Sequence, residues 1–404
     1  MRKLFSGVGG SARAKASDKG LVRNTKLVES MSLDEKQVLD PEHISLGALI
    51  GEGGFAKVYQ CQLAGQIAVA KVIPSEQLNE EMIYLLTNEC TIWARLAHDN
   101  IVSFYGMAST SQSIWLVCES MAEGSLQSQL EKFRAKKAPA PSMHELVDRY
   151  TQIAQGMEYL HKFDPPVLHR DLKSANILLG NNGTRLAIAD FGLARYQAGP
   201  GKKMTAETGS YRWMAPEVIR HEIYGKPCDV YSFAIMAWEM LTYRIPFDNM
   251  MPVEAAFAVA REAKRPPIPS SCPSPVSQML TACWSQVSKQ GKEAEDGGRA
   301  GMQPLLAPAC ARLAGCCSMR LHPLLPSLSL SRPPLASHVP SPLLPCSAPL
   351  PWQDANHRPT FAALCVALEA EKEMLPPLPQ ASGTDSLQQQ MAAIAVGDNA
   401  SPAV

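Results

Sequence analysis

The chain has 404 residues, 38 basic and 38 acidic side chains and 46% apolar residues. This balance lacks the excess positive charge that non-specific nucleic-acid binding needs, and the apolar share excludes wholesale disorder. With no run of about 18 apolar residues a membrane span is not expected, and the 11 scattered cysteines, none in a CxxC pair, read as reduced intracellular thiols.

In chain order, residues 1–42 carry Arg2, Lys3, Arg13, Lys15, Lys19, Arg23 and Lys26 with little apolar periodicity. They read as a flexible basic arm; an organellar transit peptide is the alternative, because Asp18 is the only acid before Glu29. The opening MRKLFSGVGG has no apolar stretch behind its charges and does not read as a secretory signal. Order is expected from His43, where HISLGALI, AKVYQCQL and QIAVAKVI predict three antiparallel strands. Residues 79–97 predict a helix, and IVSFYGMA and SIWLVCES predict two further strands. Beyond Pro141, Leu146, Val147, Tyr150, Ile153, Ala154, Met157 and Leu160 form one apolar stripe at steps of three and four. Residues 229–242, DVYSFAIMAWEMLT, are apolar on nearly every face, which predicts a central buried helix. The layout is a two-lobed α+β domain over 43–372, strand-rich over 43–121 and helical over 122–372. Residues 373–404 are polar, with Pro and Gln, and read as a disordered tail.

Four fragments carry chemistry. The run Gly51-Glu52-Gly53-Gly54-Phe55-Ala56-Lys57-Val58 joins two predicted strands; it reads as a tight turn or as a loop whose N–H groups face a polyphosphate. Lys71 lies in an otherwise apolar strand and needs a partner, for which Glu89 on the next helix is the obvious choice. His169-Arg170-Asp171-Leu172-Lys173-Ser174-Ala175-Asn176 follows an apolar pair, and Asp190-Phe191-Gly192 comes 19 residues after Asp171. Ala215-Pro216-Glu217 closes a polar segment rich in Ser, Thr and Lys.

In this order and these contexts the fragments resemble the eukaryotic protein kinases, over residues 43–286 and 354–372. GSYRWMAPEV, Cys283-Trp284 and His357-Arg358-Pro359-Thr360-Phe361 are similar to the tyrosine-kinase-like group, whose Raf-like and mixed-lineage Ser/Thr members of plants and green algae are the nearest in kind. The resemblance implies a bilobal α+β kinase fold, with a small β-rich lobe carrying one helix and a larger helical lobe. It implies ATP and Mg²⁺ as cofactors. Gly51 to Val58 would cover the phosphates, Lys71 would grip them with Glu89 as its aligner, and the backbone of Glu119, Ser120 and Met121, behind Cys118, would read the adenine edge. Asp190 and Asn176 would hold the metal, Asp171 would accept the substrate proton, and Lys173 would stabilise the transferring phosphate; a lysine there argues for Ser/Thr substrates. Arg170 implies control by phosphorylation at Thr205 or Thr208, while Ser210 is expected to line the substrate pocket and contact Asp171. Asp229 would cap the backbone at His169 and Arg170, and Glu217 would pair with Arg358. The implied partners are protein substrates and an upstream kinase, in a cytoplasmic signalling enzyme; the oligomeric state is not indicated. A nucleotide-binding pseudokinase scaffold and a dual Ser/Thr and Tyr specificity are the alternatives.

Three substitutions depart from that pattern: Ala56 for a glycine, Val69 for the alanine that usually covers the adenine, and Tyr243-Arg244 before Pro246-Phe247. A larger departure is the 67-residue stretch 287–353; without it the join reads CWSQ-DANHRPTF, an uninterrupted kinase sequence. Of the 32 residues from Leu321 to Trp352, 24 are Leu, Pro or Ser, the composition of pyrimidine-rich codons. A Val codon begins GU and one Gln codon ends AG, so the stretch reads as a translated intron. A Pro-rich loop that serves as an SH3-type ligand is the alternative. Lengthening a connection of about four residues sixteenfold costs roughly 2.4 kcal/mol of closure entropy, against a typical stability of about 5–15 kcal/mol.

Overall fold

A computed structural model describes residues 33–53, 56–136, 141–197, 210–286 and 357–375. The expectations for residues 1–32, Gly54, Phe55, Thr205, Thr208, the stretch 287–353 and residues 376–404 lie outside these.

Alternating burial builds the first lobe. Strands β2 (Ile44–Glu52), β3 (Lys57–Leu63) and β4 (Gln66–Pro74) form the expected antiparallel meander; β5 (Phe104–Ser109) and β6 (Ser113–Glu119) complete it beside β4. Ala68 and Ala70 are fully buried on one face with Ile44, Cys61, Ala108 and Val117. Strand period therefore turns Val69 and Lys71 to the opposite face. Val58 is the register partner of Lys71, and Cys118 that of Val69, so all four share that face. Helix α1 (Glu80–Trp93) starts where the Asn79 side chain accepts the Met82 N–H at 2.7 Å. It ends four residues earlier than expected: Trp93 donates its indole N–H to Val102 O at 2.7 Å, tying the helix end to the approach to β5.

The boundary of the arm is corrected. The described residues begin at 33, ahead of His43, and include β1 (Val38–Leu39), which pairs in parallel with β5 at Met107 and Ala108. The sheet order is β1-β5-β6-β4-β3-β2. A two-residue strand has no alternation for a sequence pattern to carry. Gln37 donates from Nε2 to Ala94 O at 2.9 Å, fastening this segment to the end of α1.

The second lobe is helical. The helices in order are α2 (Leu126–Arg134), α3 (Met143–His161), α4 (Pro216–Ile219), α5 (Pro227–Thr242), α6 (Pro252–Arg261), α7 (Ser274–Cys283) and α8 (Phe361–Met374). Helix α3 opens with a capping box between Ser142 and Glu145, and its apolar stripe is buried throughout. Every residue of α5 from Cys228 onward is buried, as its composition predicts. Short strands β7 (Val167–Leu168), β8 (Ile177–Gly180), β9 (Arg185–Ile188) and β10 (Arg195–Tyr196) pair as β8-β9 and β10-β7. The loop 169–176 thus leaves β7 and re-enters β8, while Asp190 follows β9. No described helix is long and apolar enough to cross a membrane, and the seven described cysteines form no disulfide.

Gly106 sits at φ +148°, and a Cβ there would lie 2.3 Å from Gln37 O. Gly106→Ala is expected to dislodge the segment carrying β1 and to destabilise the protein by about 1–3 kcal/mol, the cost of overpacking. A urea denaturation series on the two proteins measures it.

Candidate active site

Lys71 on β4 and Glu89 on α1 meet at 2.9 Å, with Glu89 almost wholly buried. Burial alone would lower the Lys71 pKa, but the Glu89 and Asp190 carboxylates outweigh it and hold the pKa above the ordinary lysine value. Asp190 is therefore beside this pair, at φ +64°. Gly192 keeps the corner open: a Cβ there would lie 3.3 Å from Asp190 Oδ1 and 3.6 Å from Glu89 Oε2.

A second group forms on the loop between β7 and β8. Lys173 Nζ donates to Asp171 Oδ2 at 2.7 Å, and Asn176 Nδ2 donates to the same oxygen at 3.0 Å and to Asp171 O at 2.8 Å. Both of these side-chain bonds fall on Oδ2. With the Asn176 nitrogen occupied twice, its amide oxygen is the atom that can meet a cation. The two groups are linked through the backbone, where Ala189 N donates to Asn176 O at 2.8 Å.

Asp229, in the first turn of α5 and wholly buried, organises the loop. Its Oδ2 accepts the His169 N–H at 3.0 Å and its Oδ1 the Arg170 N–H at 2.9 Å, while His161 lies 2.9 Å from Oδ2. Burial raises the Asp229 pKa, but the bonds from His161 and Arg170 N–H prevail and hold it below the usual carboxylate range. Arg170, at φ +69°, donates to Leu193 O at 3.3 Å and lies over the Tyr224 ring. Arg358 grips Glu217 at both oxygens, with NH2 3.0 Å from Oε2; NH1 also reaches Pro227 O at 2.8 Å and Nε reaches Ser285 O at 2.9 Å.

One contact differs from expectation. Ser210 Oγ meets Lys173 Nζ at 2.7 Å and reaches Asp171 only through that ammonium, whose length spans the gap. In the glycine-rich hairpin, Gly51 and Glu52 end β2, Lys57 and Val58 begin β3, and Gly53 N donates to Ala56 O at 2.9 Å. Glu52 and Lys57 form an exposed ion pair at 3.3 Å. Among the described residues, a Cβ at Gly51 or Gly53 would meet nothing nearer than 3.6 Å. At the end of β6 the Glu119 N–H is taken by Ser103 O at 2.9 Å. Burial pushes the nearby Cys118 thiol up to about 12, so it packs as a small hydrophobe.

Sequence reasoning missed two side chains. Arg185 on β9 grips both oxygens of Glu119 and donates from Nε to Asp99 O at 2.8 Å. Glu239 is a buried acid within the apolar run of α5; its isolation in that run was the available signal.

A family model described as protein tyrosine and serine/threonine kinase matches residues 44–294. Serine/threonine-protein kinase STY17 of Arabidopsis thaliana is 34% identical over 248 residues, 61% of this chain and 42% of the relative. Serine/threonine/tyrosine-protein kinase HT1 of the same plant is 34% identical over 256 residues, covering 62% and 64%. Mitogen-activated protein kinase kinase kinase 10 of Mus musculus is 36% identical over 251 residues, covering 60% and 26%. The match thus spans less than half of the first relative's length.

Asp229→Asn would turn an amide N–H toward one of the two backbone donors at 169 and 170. It is expected to destabilise the protein by about 1–3 kcal/mol, the cost of an unsatisfied buried donor, as read from the midpoint of chemical unfolding.

Proposed function

The chain belongs to the protein tyrosine and serine/threonine kinase family, and from that premise we propose that it is an active kinase transferring the γ-phosphate of ATP to Ser and Thr hydroxyls of proteins. The observation that carries the reading is Asp171, whose Oδ2 is bonded by both Lys173 and Asn176. Through its other oxygen the carboxylate orients the acceptor hydroxyl and takes its proton as the new O–P bond forms and the bond from the γ-phosphorus to the departing ADP oxygen breaks, a role worth about 10²–10⁴ in rate. Lys173 stands between Asp171 and Ser210, where its charge offsets that gathering on the transferring group. Lys71, held charged by Glu89 and Asp190, grips the phosphate oxygens.

Asn176 and Asp190 offer an amide and a carboxylate oxygen, which fit Mg²⁺, a hard cation that takes few protein ligands and fills its shell with water and phosphate. When bound, the ion neutralises phosphate charge. The bare glycine backbone supports binding of the nucleotide's phosphates, with the backbone of Glu119 and Met121 toward the base. Val69 beside Cys118 narrows the base pocket on its sheet side. Arg170 is the expected receiver of a phosphate on Thr205 or Thr208 placed there by an upstream kinase, and its hold on Leu193 O gives it a route to that segment. The cytoplasm is the proposed location. Dual specificity is the second reading, favoured by the printed name of the relative HT1.

Asp171→Ala is expected to lower transfer of labelled phosphate at least about 100-fold, with an unchanged unfolding temperature. Wild type that labels no acceptor would favour the pseudokinase scaffold, and phosphotyrosine among the labelled residues would favour dual specificity.

The stretch 287–353 is proposed to be a translated intron. Its support includes the contact of Arg358 Nε with Ser285 O, which joins described residues on its two sides. Deleting 287–353 is expected to raise soluble yield and leave activity equal or higher; a fall in activity would favour a native loop. Transcripts that all retain the stretch, over genomic ends without splice signals, would also overturn the intron.

A further inference from the structure

The zero net charge of the chain conceals a separation. Residues 1–32 carry seven bases and two acids, a net of +5, whereas residues 33–119, the sheet lobe and its lead-in, carry four bases and eleven acids, a net of −7. Two of those four bases are already engaged, Lys71 by Glu89 and Lys57 by Glu52. Asp34, Glu35, Asp40 and Glu42 lie exposed in the lead-in, and among the described residues none of them has a Lys or Arg partner. The same edge of the lobe is hollowed. A hollow of about 660 Å³ lies among Val38, Leu39, Asp40, Ser45, Gln62 and Leu63. A second, of about 360 Å³, shares Ser45 and Gln62 with it and extends to Leu46, Cys61 and Ile67. The two form one trough that runs from β1 across β2 and β3. Leu39 and Leu63 are anchored on the small core of this lobe, which fixes the trough's shape. Val38, Leu46 and Ile67 are 47%, 39% and 59% exposed, so its apolar side chains have no cover among the described residues.

We propose that this trough is the docking site of the chain's own basic arm, entered by residues 21–28, LVRNTKLV. Charge selects the occupant first: the arm has the excess of bases that the lead-in lacks, and Arg23 and Lys26 are the bases nearest to it in sequence. Apolar content selects the segment. Leu21-Val22 and Leu27-Val28 match Val38, Leu46 and Ile67, whereas residues 9–20 offer no apolar side chain larger than Ala.

Reach selects it as well. The chain takes five residues to pass from Leu33 to Val38 at the end of the trough. The five residues upstream of Leu33 are therefore enough to return over the same distance, which brings Val28 to the trough; five extended residues span at most about 18 Å. Closing so short a loop costs little entropy. The competing occupants are the arm of a second copy and an unrelated basic peptide, and the high local concentration of a tethered segment favours the arm of the same chain. The inference goes beyond the kinase reading and needs neither nucleotide nor catalysis.

Brief trypsin treatment of the full chain, followed by mass spectrometry, tests it. Cleavage after Arg13 reports the arm outside the docked segment, and cleavage after Arg23 reports the segment itself. Asp40→Asn with Glu42→Gln removes two charges, while asparagine keeps the side-chain cap that Asp40 gives the Glu42 N–H at 2.9 Å. Relative to the Arg13 bond, the Arg23 bond is expected to be cut about two- to tenfold faster in this variant than in wild type, the effect of losing two exposed ion pairs. Leu27→Ser with Val28→Ser, which alters no described residue, is expected to speed the same bond by a similar factor. Equal cleavage after Arg23 in wild type and either variant overturns the inference. Protection that fades on about a hundredfold dilution assigns the arm to a second copy and overturns docking within one chain. A synthetic 21–28 peptide added in excess should release the arm of wild type. A scrambled peptide of the same composition that releases it equally well overturns the choice of segment.

Discussion

One buried carboxylate sets the catalytic loop. Two successive backbone N–H groups, at His169 and Arg170, point at Asp229 and are accepted by its two oxygens. Successive amides point the same way only when the chain curls, and Arg170 accordingly adopts φ +69°, a region that costs a non-glycine residue roughly 1–2 kcal/mol. The charged acceptor offsets that cost, since hydrogen bonds to a buried carboxylate are about twice as strong as neutral ones. The curl then delivers Asp171, Lys173 and Asn176 to one side of the loop. Asp229 itself is fixed because α5 is buried on every face and has no freedom to turn.

The second constraint is electrostatic and joins the lobes. Lys71 and Glu89 come from the sheet lobe, and Asp190 from the segment after β9 in the helical lobe. A half-buried ammonium between two carboxylates stays charged, as the raised Lys71 pKa requires. The anions in turn have a cation to share, which lets Asp190 sit beside Glu89. Gly192 eases this crowding on the Asp190 side, where a Cβ would lie 3.3 Å from Oδ1.

Much of this was legible as residue order. Lys71 could be read because a single charge in an apolar strand demands a partner, and α5 because apolar residues on all faces demand burial. The legible features were those whose physical requirement is local in sequence. What escaped depends on distance in the fold. The parallel pairing of β1 is two residues long and owes its place to the missing Cβ at Gly106, nearly seventy positions away. The Ser210 contact runs through the reach of Lys173, a length no spacing encodes. Arg185 and Glu119 are 66 positions apart and pair only because β9 passes beneath the end of β6.

Arg358 shows how a fold tolerates a long separation in its own sequence. Its guanidinium is fully buried and has acceptors on every side: Glu217, the carbonyls of Pro227 and Ser285, and the Tyr231 ring 5.0 Å away. Ser285 is 73 positions before it, yet the two are in hydrogen-bond contact. Stranding one partner of a buried ion pair costs about 3–5 kcal/mol, whereas closure entropy grows only as the logarithm of the intervening length. The pair therefore outweighs the added chain, and the helical lobe keeps α8 packed on α3 whatever joins residue 286 to residue 357. For the same reason the aligned register of Glu217, and through it the segment ahead of α4, is insensitive to the length of that connection. The loop 169–176 is held separately, by Asp229, so its geometry does not depend on the length of that connection either.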